Sequence, residues 1–153
     1  LENFELPSGR GNIVRAEKWS KKFFIIDDSY NSNPASLSAS LKKFNELNCQ
    51  GKKIAILGDM NELGEKSKNF HLGIKKEIEN TNINKVFTVG KYMRVLYQKL
   101  PSSIDKQHFD NISKLEVILK KILRSGDMLL IKGSNSIGLY SLVKKISGEK
   151  NDL

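Results

Sequence analysis

Four short apolar runs punctuate the chain, with amphipathic segments between them. "FFIID" (Phe23–Asp27), "KIAILG" (Lys53–Gly58), "KVFTVG" (Lys85–Gly90) and "MLLIKG" (Met128–Gly133) are nearly continuous in apolar residues. Strands that read this way are covered on both faces, as parallel strands in an α/β sheet are. "QHFD" (Gln107–Asp110) is a weaker candidate for a further strand. Between the runs, Leu37, Leu41, Phe44 and Leu47 recur at helical spacing, as do Phe70, Ile74 and Ile78. Leu115, Ile118, Leu119 and Ile122 form a third stripe, and Leu139, Leu142, Val143 and Ile146 a fourth. The alternation predicts an α/β fold: a doubly wound, mostly parallel sheet flanked by helices. Upstream, "NIVRAEKWSKKFFIID" is compatible with a hairpin feeding the first strand.

A length of 153 residues suits one domain with a sizeable core. No apolar run approaches the roughly 18 residues of a membrane helix. The single Cys49 excludes an internal disulfide and a cysteine-based zinc cage, and fits a cytoplasmic setting. The net charge of +9 raises the question of nucleic acid. The basic pairs (Lys42–Lys43, Lys52–Lys53, Lys75–Lys76, Lys120–Lys121, Lys144–Lys145) are scattered, without interleaved aromatics, so a solvated surface is the preferred reading.

Ligands of open α/β sheets bind beyond the carboxyl ends of the strands. Three loops at such ends carry unusual residues. In "DDSYNSNPASL" (Asp27–Leu37), alternation sends Asp27 and Asp28 to opposite faces. Asn33 before Pro34 is a helix start, with the cap and the first helical position in order. Asp28, Tyr30 and Asn31 precede that cap. A carboxylate there can accept from ribose hydroxyls, a ring can pack on a base, and an amide can pair with an adenine edge. On chemistry alone, a nucleotide site and a plain turn both stand.

The second loop, "GDMNELG" (Gly58–Gly64), brings Asp59 and Glu62. By itself it reads best as a strand exit with Asp59 as a cap; the other reading is an acidic rim for an amine or a hard cation. In the third, "KGSNS" (Lys132–Ser136), a lysine ends a buried strand and its charge needs a partner. Ser134, Asn135 and Ser136 add hydroxyls, an amide and free N–H groups at a helix start, which suits a carboxylate or phosphate. No P-loop and no G-x-G-x-x-G after the first strand occurs. His71 reads as a packed or half-exposed histidine rather than a catalytic base.

With "SGRG" at Ser8–Gly11, these stretches resemble, in order and spacing, the C-terminal domain of the Mur ligases, in the branch that adds D-alanyl-D-alanine. The resemblance implies a Rossmann-like domain at residues 12–147, a junction at 1–11 and a frayed tail at 148–153. It implies a bacterial cytoplasmic ligase of three domains, acting in peptidoglycan synthesis, in which a central domain carries the P-loop and the magnesium ligands. ATP and Mg2+ would be the cofactors, and UDP-N-acetylmuramoyl-tripeptide and D-alanyl-D-alanine the substrates. A monomer without nucleic acid or membrane span is expected.

By the same resemblance, Arg10 would reach the nucleotide and Asp28 would hold the ribose, with Tyr30, Asn31 and Asn33 in the nucleotide-side loop. Asp59, Glu62, Lys132, Ser134, Asn135 and Ser136 would line the dipeptide side. Many relatives have arginine where Asn135 stands, and Lys132 is expected to supply the cation instead. A hinge is expected near Gly9–Gly11, and no catalytic group or metal ligand within the domain. The alternatives are another Mur or folylpolyglutamate-type ligase, or a stand-alone nucleotide- or nucleic-acid-binding module.

Overall fold

Runs apolar at every position can be buried only if helices cover both faces of the sheet, and the computed structural model, which describes residues 9–148, has that arrangement. The order is β1 (Asn12–Lys18), β2 (Lys21–Asp28), α1 (Pro34–Glu46), β3 (Lys53–Gly58), α2 (Ser67–Leu72), α3 (Lys75–Glu79), β4 (Lys85–Val89), α4 (Met93–Lys99), β5 (Lys106–Phe109), α5 (Leu115–Ile122), β6 (Met128–Lys132) and α6 (Leu139–Ser147). The strands form one sheet in the order β1-β2-β6-β3-β4-β5. Only the β1–β2 pair is antiparallel.

Period-two alternation divides the core. Ile54 and Ile56 face α5 and α6, together with Ile25, Phe87, Leu129 and Ile131. Ala55 and Leu57 face the other way, onto α1, α3 and α4. β6 is last in sequence but lies between β2 and β3, buried at every residue. The helix after β2 lies on one face and the helix after β6 on the other. The chain therefore splits at the carboxyl ends of β2 and β6, the place where such sheets open a crevice.

Four of the strands sit where the apolar runs predict, and the weak Gln107–Asp110 candidate is the edge strand β5. The expected hairpin is β1–β2, closed by a two-residue turn at Trp19 (φ +56°) and Ser20 (φ +60°). α1 begins as predicted: the Asn33 side chain accepts from Ser36 N, and Ser36 Oγ accepts from Asn33 N.

Two expectations need correcting. The stripe through Phe70, Ile74 and Ile78 is broken into α2 and α3 at Gly73, a weak helix former. Phe70 is exposed, and the inward positions are Ser67, His71, Ile74 and Ile78. The sequence reading also lacked α4, whose buried Met93 and Leu96 continue to Leu100. No side chain next to this helix caps it; the cap comes from Asp59, far off in sequence.

Residues 1–8 and 149–153, which hold most of the expected junction and tail, lie outside the described residues. Gly148 pairs with Glu17 beside the hairpin.

Both hairpin turn residues have a left-handed backbone that L-residues adopt at a cost. Ser20→Gly is expected to raise stability by about 0.5–1 kcal/mol, read from urea unfolding.

Candidate functional site

The β2–β6 register sets Asp28 opposite Lys132 at the carboxyl ends of the two strands. Strand geometry separates the two aspartates as expected. Asp27 turns inward, where its carboxylate accepts from Ser29 N (3.2 Å) and Ser29 Oγ (2.5 Å). Asp28 turns the other way, its side chain 18% exposed. Lys132 is only 2% exposed, and its ammonium donates to Asp28 Oδ2 at 2.9 Å and to the Asn31 carbonyl at 3.0 Å. Ser40 Oγ donates to the same Asp28 oxygen at 2.5 Å.

The resemblance puts Lys132 among the dipeptide-side groups, as the cation there; the structure gives that cation a partner within the chain. Its ammonium is engaged by the Asp28 carboxylate and the Asn31 carbonyl and does not face outward as a free cation. A buried lysine at a strand end needs a carboxylate within reach, and register supplies it.

A groove of about 230 Å³ opens beside this pair, lined by Ile26, Asp28, Ser40 and Phe44 with Arg10 and Lys43. The Arg10 guanidinium lies 4.4 Å from the centroid of the exposed Tyr30 ring. Tyr30 N donates to Gly9 O (3.0 Å) and Gly11 N to Asp27 O (2.7 Å), so the segment expected to hinge is laced to this loop. Asn31 and Asn33 are exposed. Asn33 is engaged in the α1 cap, and Asn31 Oδ1 accepts from Ser32 N.

The second and third loops are stitched together next door. Asn61 N donates to Ser134 Oγ at 2.7 Å, and the Asn61 amide donates to Ser136 Oγ. Ser134 N donates to Asp59 O. The backbones come this close because Gly58 and Gly133 face each other: a Cβ on Gly133 would lie 3.1 Å from Gly58 Cα and 2.8 Å from Leu139 Cδ1. Ser134 is buried, whereas Asn135, Ser136 and Glu62 are exposed.

Asp59 is buried, and its carboxylate accepts from Met93 N (2.7 Å) and Tyr92 N (3.3 Å), capping α4. A Cβ on Gly90 would collide with it. Of the two roles open to Asp59 in the sequence, the geometry is that of the cap.

His71 is fully buried behind the same loop. Its Nε2 accepts from Met60 N (2.8 Å) and its Nδ1 lies 2.6 Å from Ser67 O, so the proton sits on Nδ1 of a neutral ring. Burial pushes its pKa down, against the opposing pull of the Ser67 carbonyl and the Asp59 charge. His108 is likewise lowered by burial and then by Arg94.

Three participants escaped the sequence reading: Ser40, Lys43 and Asn61. Ser40 had a signal, since it falls three residues after Leu37 and four before Phe44, a polar slot beside the apolar stripe of α1. Asn61 had none, because its partners lie more than seventy positions away. Among the described residues no three His, Cys, Asp or Glu side chains converge on a metal position. No helix among them is long and apolar enough to cross a membrane.

Asp59→Ala is expected to cost about 1–2 kcal/mol by uncapping α4, with Asp59→Asn losing less, read from thermal unfolding. The unfolded chain protonates His71 near the ordinary 6.5 and the folded chain only at lower pH. The unfolded state therefore binds more protons in that window, so this stability is intact above about pH 6.5 and drains away as pH falls toward the folded value. Denaturant midpoints measured from pH 7.5 to 5 are expected to fall, and His71→Gln to flatten the slope, leaving the part due to His108.

Comparison with known proteins agrees with this arrangement. The family described as "Mur ligase, glutamate ligase domain" matches residues 9–135. A UDP-N-acetylmuramoyl-tripeptide–D-alanyl-D-alanine ligase of Rickettsia prowazekii is 31% identical over 143 residues, which is 94% of this chain and 31% of that protein. The ligase of the same name from Bacillus subtilis is 32% identical over 125 residues, 80% of this chain and 27% of that protein. The chain thus spans about a third of the length of the curated relatives it matches. In fold it is similar to MurF from Acinetobacter baumannii (TM-score 0.76, 24% identity, 95% of this chain and 32% of that one). It is similar also to MurF ligase from Thermotoga maritima in complex with ADP (TM-score 0.73, 24% identity, 93% and 31%). With the family match covering both the β2–β6 crevice and the loops around it, the chain belongs to the Mur ligase C-terminal domain family.

Proposed function

We propose that this chain is the C-terminal, substrate-closing part of an ATP-dependent ligase that joins D-alanyl-D-alanine to UDP-N-acetylmuramoyl-tripeptide in bacterial peptidoglycan synthesis. The observation that carries the reading is the likeness, along nearly the whole chain, to ligases of that name. The crevice at the ends of β2 and β6, with Asp28 and Arg10 on its groove, supports it.

In the proposed reaction, ATP phosphorylates the terminal carboxylate of the tripeptide. The free amine of the dipeptide then attacks the acyl phosphate, an amide bond forms and phosphate leaves. This domain contributes orientation and charge, not a covalent step. Asp28 accepts from the ribose hydroxyls, and Arg10 steadies the phosphates as a fixed cation. Tyr30, Asn31 and Asn33 shape the nucleotide side. Glu62, Asn135 and Ser136 remain exposed for the dipeptide, while Asp59 and Ser134 hold the backbone that presents them. ATP reaches the crevice with its metal held by a central domain, and no step assigned to this chain passes through a metal. Cytoplasmic location, a monomeric state and a part in cell shape and division belong to the same reading.

The test uses the full-length protein with ATP, the nucleotide tripeptide and the dipeptide, following phosphate release and product mass. Asp28→Ala is expected to raise the KM for ATP by about tenfold or more, the worth of a hydrogen bond to a charged group. The melting temperature is expected to fall as well, because Lys132 loses its carboxylate, so the KM is read at a temperature where the variant is still folded. No ligation by the full-length protein, or unchanged ATP dependence in the variant, would contradict the reading. The 153-residue chain alone is expected to show no turnover.

A further inference from the structure

The two bonds to the Asp28 carboxylate both fall on one oxygen. Oδ2 accepts from both Lys132 Nζ and Ser40 Oγ. Oδ1 takes no bond from any described residue, on a side chain that lines the groove. A strand-end carboxylate held by nothing would turn about its side-chain bonds and present either oxygen. Two donors converging on Oδ2 from different elements, β6 and α1, restrict that rotation and leave Oδ1 as the oxygen open to a ligand. The same ammonium fixes the Asn31 carbonyl, so the loop after β2 is set by the group that sets the carboxylate. At 2% exposure, with those two acceptors in front of it, Lys132 has no free face for an incoming carboxylate.

We propose that Lys132 and Ser40 are positioning residues of the nucleotide side: they grip Asp28 by one oxygen so that the other is aimed at the ribose. Lys132 thereby serves ATP rather than the dipeptide. The proposal rests on the nucleotide reading of Asp28 given above.

The experiment is steady-state kinetics of the full-length enzyme with ATP, 2′-deoxy-ATP, 3′-deoxy-ATP and the dipeptide as varied substrates. Lys132→Met is expected to raise the KM for ATP by about tenfold and leave the dipeptide KM within about twofold. Lys132→Arg, which keeps a charge, should recover part of the loss. Ser40→Ala should raise the ATP KM by about threefold, the share of one neutral donor. Both should narrow the preference for ATP over the two deoxynucleotides, a readout that a merely structural role would not move.

If Lys132→Met shifts the dipeptide KM and spares that for ATP, Lys132 belongs to the dipeptide side and the proposal is overturned. If both substitutions leave ATP KM and ribose preference unchanged, it is overturned as well. Should Lys132→Met fail to fold, Ser40→Ala decides, since it removes one hydroxyl from a half-buried helix position. Asp28→Ala separates the two levels. If it raises ATP KM while Lys132→Met and Ser40→Ala do not, only the positioning proposal fails. If it leaves ATP KM unchanged, the nucleotide reading fails and the positioning proposal falls with it.

Discussion

An ammonium group sealed into the end of a buried strand requires a carboxylate beside it, and much of this site follows from that requirement. Lys132 is covered by the sheet, and Asp28 is its partner across the β2–β6 register. Removing one member of such a pair strands the other and costs about 3–5 kcal/mol. A slip of β6 by one residue would point Lys132 at the opposite face of the sheet and leave the charge unmatched. The pair therefore fixes which residues stand at the mouth of the crevice, beyond what apolar contacts specify. It also ties down the Asn31 carbonyl, the start of the loop that ends in the α1 cap.

Beside this ion-paired anchor stands a second one, which holds backbone amides. Asp59 points away from the crevice to hold the amide end of α4, and His71 takes the next amide, that of Met60, on its bare ring nitrogen. Asn61 then clips the loop to Ser134 and Ser136. The buried polar groups of this side serve the backbone, and the polar side chains left exposed on the two loops are Asn61, Glu62, Asn135 and Ser136. One half of the site is thus set by ion pairing and the other by caps, which makes their responses to acid different in kind. The His71 anchor weakens when the ring protonates, because a protonated Nε2 can no longer accept from Met60.

The sheet was legible in the sequence because its strands are apolar at every position, and α1 because Asn33 and Pro34 announce it. What stayed hidden depended on partners remote in sequence. α4 has no cap of its own, so nothing local marked its start. The hairpin turn uses Trp19 and Ser20 where asparagine and glycine would have signalled it. The inner stripe of α2 and α3 runs through a serine and a histidine, which disguised it and drew attention to the exposed Phe70. Strand alternation separates Asp27 from Asp28, as their orientations show, whereas the choice of Asp28 as the site residue came from the family resemblance. Lys132 was recognised as needing a counter-charge, but only the strand order identified which one, because β2 and β6 are a hundred residues apart.

That strand order has a consequence for how the chain assembles. The strand that closes the middle of the sheet is the last of its six strands to be made. Until Met128–Lys132 arrives, β1–β2 and β3–β4–β5 are two separate ribbons, each with an open edge facing the gap. Closure joins segments far apart along the chain, a slow kind of step compared with local helix formation. During synthesis the nascent chain is therefore exposed at those two edges for as long as the ribosome still holds β6. A chaperone, or early docking of another part of the same polypeptide, would matter most in that interval, before the lysine has found its aspartate.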